Sequence, residues 1–600
     1  MKPDLDTSLL KPNDLWMNSP KKPRTIKPKS KVQTGEPRRF GGTPQSMTGG
    51  AAIVAQLIAN GVDSVFGLPG AQMYPFFDAL QQNAGTIRTY GARHEQATAY
   101  MAFGYARSTG KPGVCSVVPG PGVLNASAAL ATAMGASTPV LCITGQVPSQ
   151  FIGRGRGHLH ELPDQLATVR SLFKWAARIE RPADAPAVIN EAFRQMLSGR
   201  PGVVCIEMAW DLMASAEDVV VLPAAELSPL HAPAVSAIDA AARLLQSAKH
   251  PLIFTGTGAQ HAGAEVLALA EILDAPVVAF RGGRGVVAED HPLGISAAVA
   301  RELWPECDVV LGIGTRLELP YMRWTGMMSL IDKPAAPPHL IRIDIDPAEM
   351  GRLIPHVAIV ADAALGTVAL RGAIVTLASY SNAAAATRTK RRAHIAGVRS
   401  VTRKAIDKVQ PEIGYLDVIR ECLPRNGFLV EELCQAGFAA AYGFPIYQPR
   451  TFVSCGFQGT LGFGFPTALG VKAAHPDRAV VSITGDGGFQ FGLQELATAR
   501  QENIALVTVL FNNASYGNVM RDQRERFGNR IIGAALENPD FQLLAQAYGI
   551  DSVQVTSPEQ LRPALQRALA ASKPALIEVV IAQGSEASPW AFLGPGYLAK

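Results

Sequence analysis

Short runs of β-branched and aliphatic residues alternate along most of this chain with Ala- and Leu-rich stretches of helical length, and this alternation limits the fold most. Strands that read as continuous apolar runs are buried on both faces, and strands joined through helices lie parallel. The runs at 252–255, 277–280, 309–312 and 341–345, and later at 479–484, 506–511 and 576–581, predict parallel sheets covered by helices. Punctuation divides the chain. The Pro- and Ala-rich passage Leu222-Pro223-Ala224-Ala225-Glu226-Leu227-Ser228-Pro229 closes a first unit expected over 47–215. A second is expected over 230–375, before a connector through 383–386 and Lys390-Arg391-Arg392, and a third over 410–590. Each is near the common domain size, so 600 residues resolve into three doubly wound α/β domains rather than one small module.

The net charge of +5 hints at an anionic partner until it is located. Residues 1–45 carry ten basic and four acidic side chains with seven prolines, whereas the rest of the chain carries 45 basic against 46 acidic. The basicity therefore belongs to an N-terminal extension, 1–46, expected to be extended and disordered, and the body offers no basic face for nucleic acid. The extension lacks the apolar core of a secretory signal, and no apolar run reaches the ~18 residues of a membrane span. Seven cysteines, an odd number with no CxxC pair, predict a reducing cytoplasm and buried thiols acting as small hydrophobes.

The densest chemistry lies in the third unit. Val480-Val481-Ser482-Ile483 delivers Thr484-Gly485-Asp486-Gly487-Gly488 to a strand's C-terminal end, where open α/β sheets place ligands. Gly487 and Gly488 let backbone N–H groups approach a phosphate, a following helix through Leu493, Leu496 and Ala497 would add its positive end, and Asp486 remains as a hard oxygen ligand. The next strand runs into Asn512-Asn513-Ala514-Ser515-Tyr516-Gly517, so adjacent strands would bring Asn513 and Ser515 to the same metal, for which Mg²⁺ is suited.

Twenty-four residues, Gly488 to Phe511, separate Gly-Asp-Gly from Asn-Asn, and this spacing resembles the thiamine diphosphate signature of enzymes related to acetohydroxyacid synthase and pyruvate decarboxylase. Arg93-His94-Glu95-Gln96 resembles a second motif of that family. By resemblance Glu95 is the catalytic glutamate that contacts the cofactor's aminopyrimidine, favouring the tautomer whose nitrogen deprotonates the reactive carbon. Phe66-Gly67-Leu68-Pro69-Gly70, the segment from Pro119 to Asn125, and Thr144-Gly145-Gln146-Val147-Pro148 follow in the order of the pyrimidine-binding domain. Gly456-Phe457-Gln458-Gly459-Thr460-Leu461-Gly462 is similar to the family's GTMG segment, which makes Leu461 the wedge under the bent cofactor and Gly459 a carbonyl acceptor for its amino group. The resemblance also places Pro119, Asn125, Gly487, Gly488, Asn513 and Tyr516 against the cofactor. It covers about 47–590, with only a generic pattern in the middle unit.

The implied chemistry is covalent catalysis by thiamine diphosphate. A 2-oxo acid loses carbon dioxide, and the resulting enamine passes to a second carbonyl compound, as in acetolactate synthase. A 2-oxo acid decarboxylase or hydroxyacyl lyase on the same scaffold is the alternative. Family active sites join two protomers, so a homodimer or homotetramer is implied. The middle unit of relatives takes FAD, ADP or nothing; Gly312-Ile313-Gly314-Thr315-Arg316 stands at the expected place, and no GxGxxG is present. Two departures bear on substrate. Where acetohydroxyacid synthases carry a selecting Trp, ungapped matching from Asn512-Asn513 gives Asp522. Their Phe-Gln is absent from the stretch Gly153 to Gln165, which contains His158 and His160 and leaves His160 as a candidate proton donor or substrate ligand.

Overall fold

The computed structural model describes residues 42–325, 337–377, 384–585 and 588–594. The expected N-terminal extension lies outside the described residues as far as 41. Strand β1 (Gln45–Thr48) follows shortly.

The first sheet comprises β2 (Ser64–Gly67), β3 (Arg88–Gly91), β4 (Gly113–Val117), β5 (Val140–Gln146), β6 (Trp175–Ile179) and β7 (Val204–Ala209), in the order β3-β2-β4-β5-β7-β6. Strand β8 (Ala216–Val219) then returns antiparallel to β1. The second sheet comprises β9 (Pro251–Thr255), β10 (Val277–Ala279), β11 (Gly294–Ile295), β12 (Val309–Ile313), β13 (His339–Asp344) and β14 (Val357–Val360), ordered β11-β10-β9-β12-β13-β14. The third comprises β15 (Phe428–Glu431), β16 (Phe452–Val453), β17 (Val480–Gly485), β18 (Val507–Asn512), β19 (Asp551–Val555) and β20 (Ala575–Val580), ordered β16-β15-β17-β18-β20-β19. Pairing within these three sheets is parallel throughout. The first and third sheets share one strand order, and the middle sheet has the dinucleotide-binding order. Strand order reverses between β2 and β4, between β9 and β12, and between β15 and β17, and crevices beyond those ends are where such sheets bind ligands.

Burial explains why the central strands are mostly apolar: every residue of β4 and β5 is buried, the few polar ones, Ser116, Thr144 and Gln146, included. Cys115, Cys142 and Cys205 sit side by side on β4, β5 and β7 in this core. The first and third units pack through the helices Glu95–Thr109 and Gly464–Ala474, where glycines permit backbone contact. A Cβ on Gly104 would stand 2.1 Å from the Thr467 carbonyl oxygen, and one on Gly470 2.0 Å from that of Met101.

The sequence differs from the structure in two stretches. Lys390-Arg391-Arg392, expected in a connector, lies within the helix Ala384–Ile406. Its charges are anchors: Arg392 pairs with Asp274 at 2.6 Å, Arg399 donates to the Glu289 and His291 carbonyls, and Ile395 and Ile406 are buried. The helix expected after the Gly-Asp-Gly loop is broken into a turn at Asp486–Phe489, a 3₁₀ turn at Leu493–Glu495 and a short helix at Leu496–Gln501.

Candidate functional site

Gly485 of β17 pairs with Phe511 of β18, so the chain leaves both strands at one level and the two loops meet. The Asp486 side chain is buried; its Oδ2 accepts the Ser515 N–H at 3.2 Å and the Asn538 amide at 2.7 Å. Asn538 also donates to Asn512 Oδ1 at 2.9 Å, and Asn512 donates to Glu578 at 2.8 Å. This amide chain fixes the second loop against the first. Burial pushes the Asp486 carboxyl above the usual carboxylate range, opposed by the Asn538, Gly487 and Ser515 donors. Ser515 Oγ is buried with no hydrogen-bond partner among the described residues. The loops enclose a cavity of about 90 Å³ lined by Leu461, Asp486, Gly487, Gly488, Asn513, Ser515 and Tyr516, among others. Gly487 has to lack a side chain, because a Cβ there would stand 2.4 Å from the Tyr516 ring.

The loop carrying Leu461 turns at Gly459 (φ 60°) and Gly462 (φ 79°), in the left-handed region that glycine enters without strain. Glu432, at the end of β15, lies under it and was missed by sequence reasoning. Its carboxylate accepts the Gly462 and Gly464 N–H groups and the Thr484 hydroxyl, the last at 2.8 Å, so one buried side chain ties the Leu461 loop to β17. Burial raises its pKa to about 7 against those three donors.

In the first unit Glu95 opens its helix, with His94 as N-cap, and accepts the Asn125 amide at 3.1 Å. Pro119 is buried at the entrance to the helix Pro121–Gly135. Glu495, fully buried in the third unit, accepts the Arg93 N–H through both oxygens at 3.1 and 3.0 Å and so pins the segment before Glu95. His160 Nδ1 lies 2.7 Å from Gln72 Oε1, and burial lowers its pKa while the nearby Glu95 opposes that shift. Neither Glu495 nor Gln72 carries a local sequence signal; both act through contacts distant in the chain. The structure therefore gathers Glu95, Asn125 and His160 on one unit and Leu461, Asp486, Gly487, Gly488, Asn513, Ser515 and Tyr516 on another. The residues lining the cavity all come from 412–581, so the first group stands outside it.

A larger cleft of about 380 Å³ lies at the switch point of the middle sheet, lined by Gly256-Thr257-Gly258 after β9 and Gly314-Thr315-Arg316 after β12, and closed by residues of the first and third units. Arg107, Arg200, Arg281, Arg316 and Arg450 contribute to its walls.

Two like sheets carrying a glycine-rich oxygen-ligand pocket and a glutamate at a helix start, around a dinucleotide-type sheet, define an α/β enzyme for a phosphate-bearing cofactor. Residues 47–168 match the thiamine pyrophosphate enzyme N-terminal TPP binding domain, 238–370 the central domain, and 434–579 the C-terminal TPP binding domain. The chain belongs to the thiamine pyrophosphate enzymes. It is 34% identical over 557 residues to a probable acetolactate synthase large subunit of Methanocaldococcus jannaschii, covering 89% of this chain and 92% of the relative. It is 34% identical over 542 residues to a probable 2-ketoarginine decarboxylase of Pseudomonas aeruginosa (89% and 94%). Against the acetolactate synthase isozyme 2 large subunit of Escherichia coli the identity is 32% over 575 residues (92% and 98%).

Proposed function

We propose that this thiamine pyrophosphate-dependent carboligase takes a 2-oxo acid as donor, releases its carboxylate as carbon dioxide and passes the acyl unit to a second carbonyl compound. The observation that carries the site is the meeting of the Asp486 and Asn513 loops at the ends of adjacent parallel strands. Mg²⁺ fits there: the donors are a desolvated carboxylate, an amide and a buried hydroxyl with no partner among the described residues, a set to be completed by diphosphate oxygens. No cluster of three His, Cys, Asp or Glu that could hold another metal occurs among the described residues.

Bound, the cofactor supplies a nucleophilic carbon and an electron sink for decarboxylation. Asp486, Asn513 and Ser515 would hold the metal, and the Gly487 and Gly488 backbone and Tyr516 would flank the diphosphate. Leu461, which lines the cavity, would pack against the bound cofactor, and the Gly459 carbonyl would be an acceptor for its amino group. Glu95, oriented by Asn125, would hold a proton at the pyrimidine ring, and Pro119 on the same unit would line the ring's site. His160 faces the substrate side.

A second copy of the chain completes the site. A cavity of 90 Å³ is well below the ~300 Å³ of a typical ligand pocket, so it houses the diphosphate end and leaves the ring end to a partner's Glu95 edge. Large apolar side chains stand exposed on both units, Tyr74, Leu124 and Leu159 on the first and Phe491, Val519 and Ile532 on the third. A homodimer or homotetramer covers them. The three units are taken to span 47–215, 230–375 and 410–590. The arginine-lined cleft suits FAD or ADP, whose phosphates those side chains would meet. Seven free thiols agree with a cytoplasmic setting, and no helix among the described residues is long and apolar enough to cross a membrane.

A 2-oxo acid decarboxylase or 2-hydroxyacyl lyase is the second reading, favoured by the similarity to the Pseudomonas aeruginosa protein, while Asp522 at the place of the selecting Trp weighs against a branched-chain acetohydroxyacid synthase. A panel of 2-oxo acids scored for carbon dioxide, aldehyde and acyloin, on protein first examined for flavin absorbance, decides between the readings. Aldehyde without acyloin from every donor rejects carboligation. Glu95→Gln is expected to lower turnover at least ~100-fold while cofactor binding persists; unchanged turnover would sink the mechanism.

A further inference from the structure

The switch point of the first sheet, between β2 and β4, holds an arrangement that the reaction outlined above leaves unexplained. Gln72, on the loop after β2, is 3% exposed and sits at φ 67°; His160 sits at φ 67° as well. Side chains rarely adopt this left-handed backbone, and two paired residues holding it require the surroundings to enforce it. They do so through glycines. A Cβ on Gly145 would stand 2.6 Å from the Gln72 carbonyl oxygen, and one on Gly120 2.4 Å from that of His160. Gly120 is itself held by Gln165, whose Oε1 accepts its N–H at 2.8 Å and whose amide donates to the Gly145 carbonyl and to Glu207.

Within this frame the Gln72 amide has one orientation. Its Nε2 donates to the Leu159 carbonyl at 2.9 Å, so its Oε1 faces His160 Nδ1 at 2.7 Å. An acceptor at that nitrogen requires Nδ1 to carry the hydrogen, which in a neutral ring leaves Nε2 with the lone pair.

We infer that Gln72 is a positioning residue that holds His160 in the Nδ1–H tautomer and makes Nε2 a proton acceptor for a hydroxyl-bearing substrate or product. The inference rests on the reading of His160 as substrate-facing, and it reverses the donor role expected for it. On taking a hydroxyl proton at Nε2 the ring becomes imidazolium, its Nδ1–H still given to Gln72, and the negative charge of nearby Glu95 favours that charged form.

The test uses holoenzyme containing ¹⁵N-labelled histidine, the His160 signal being assigned with His160→Asn. Ring nitrogen shifts are expected to show Nδ1–H in the parent protein and a shift toward Nε2–H in Gln72→Ala. Gln72→Glu keeps the acceptor but adds a negative charge, and is expected to preserve Nδ1–H and move the acid limb of the kcat/KM profile up by about one pH unit. An Nε2–H ring in the parent, or a ring and pH profile indifferent to both substitutions, overturns the proposal. Full turnover by His160→Asn with the 2-oxo acids of the panel defeats the substrate-facing role and with it the proton-acceptor role, whereas the ring shifts report on Gln72 independently.

Discussion

Glu432 shows how a residue away from the chemistry governs it. Its carboxylate holds the two N–H groups that shape the Leu461 loop and the hydroxyl preceding the Gly-Asp-Gly turn. Burial lifts its pKa from 4.5 to about 7, so the folded state binds this proton more tightly than the unfolded chain. Its contribution to stability is whole below about pH 4.5 and is lost as pH rises through 7; the difference corresponds to about 3 kcal/mol at most. Glu432→Gln should flatten the decline in stability between about pH 5 and 8, read from denaturant midpoints of parent and variant. An unchanged slope would mean that the carboxyl is solvated. The same substitution places an amide N–H against backbone donors, so weaker cofactor binding is expected too. Sequence reasoning reached Asp486, Asn513 and Glu95 because their motifs are local, whereas Glu432, Asn538, Gln72 and Glu495 act through bonds spanning 30 to 402 residues.

Among the elements, the helix pair Glu95–Thr109 and Gly464–Ala474 joins the N-terminal to the C-terminal TPP binding domain within one chain. Phe463 meets Tyr100 and Phe103 edge-on at 5.5 and 5.3 Å, and Thr132 and Thr460 share a hydrogen bond of 2.8 Å. Alanine in place of a helical glycine is ordinarily favourable by about 1 kcal/mol. At Gly470 the 2.0 Å approach to the Met101 carbonyl should outweigh that gain, because a backbone atom cannot rotate away. Gly470→Ala is expected to destabilise by about 2 kcal/mol or more, measured by denaturant unfolding. Gly351→Ala is the control, because a Cβ at that position would meet nothing within 4 Å. Equal stability of the two variants would show that the helices have room to separate. The elements were largely legible in advance, since burial on both faces leaves the strands mostly apolar. The helix Ala384–Ile406 was not, because what anchors it, Arg392 on Asp274 and Arg399 on the Glu289 and His291 carbonyls, lies more than 100 residues away in the chain.

On the scale of the whole molecule, the residues proposed to bind the cofactor form two groups on two units, and the proposed assembly joins one group to its counterpart in a second copy. A mixture of Glu95→Gln and Asp486→Asn chains tests this. If sites are shared, each mixed dimer contains one intact site, and random exchange should restore about one quarter of the parent activity from two inactive parents. No recovery after demonstrated exchange would place the whole site within one chain.

The sequence alone determined the α/β class and the cofactor, and it supplied the oxygen ligands proposed for the metal, because strand burial and glycine-rich loops impose their pattern on neighbouring residues. It also located the charge in the extension. Tertiary structure decided what lies against those motifs: a buried glutamate under the Leu461 loop, a glutamine that sets a histidine's tautomer, and an arginine-lined cleft around two short glycine turns. Such partners come from strands that are adjacent in the sheet but remote in the chain, so only the folded order of the strands brings them together.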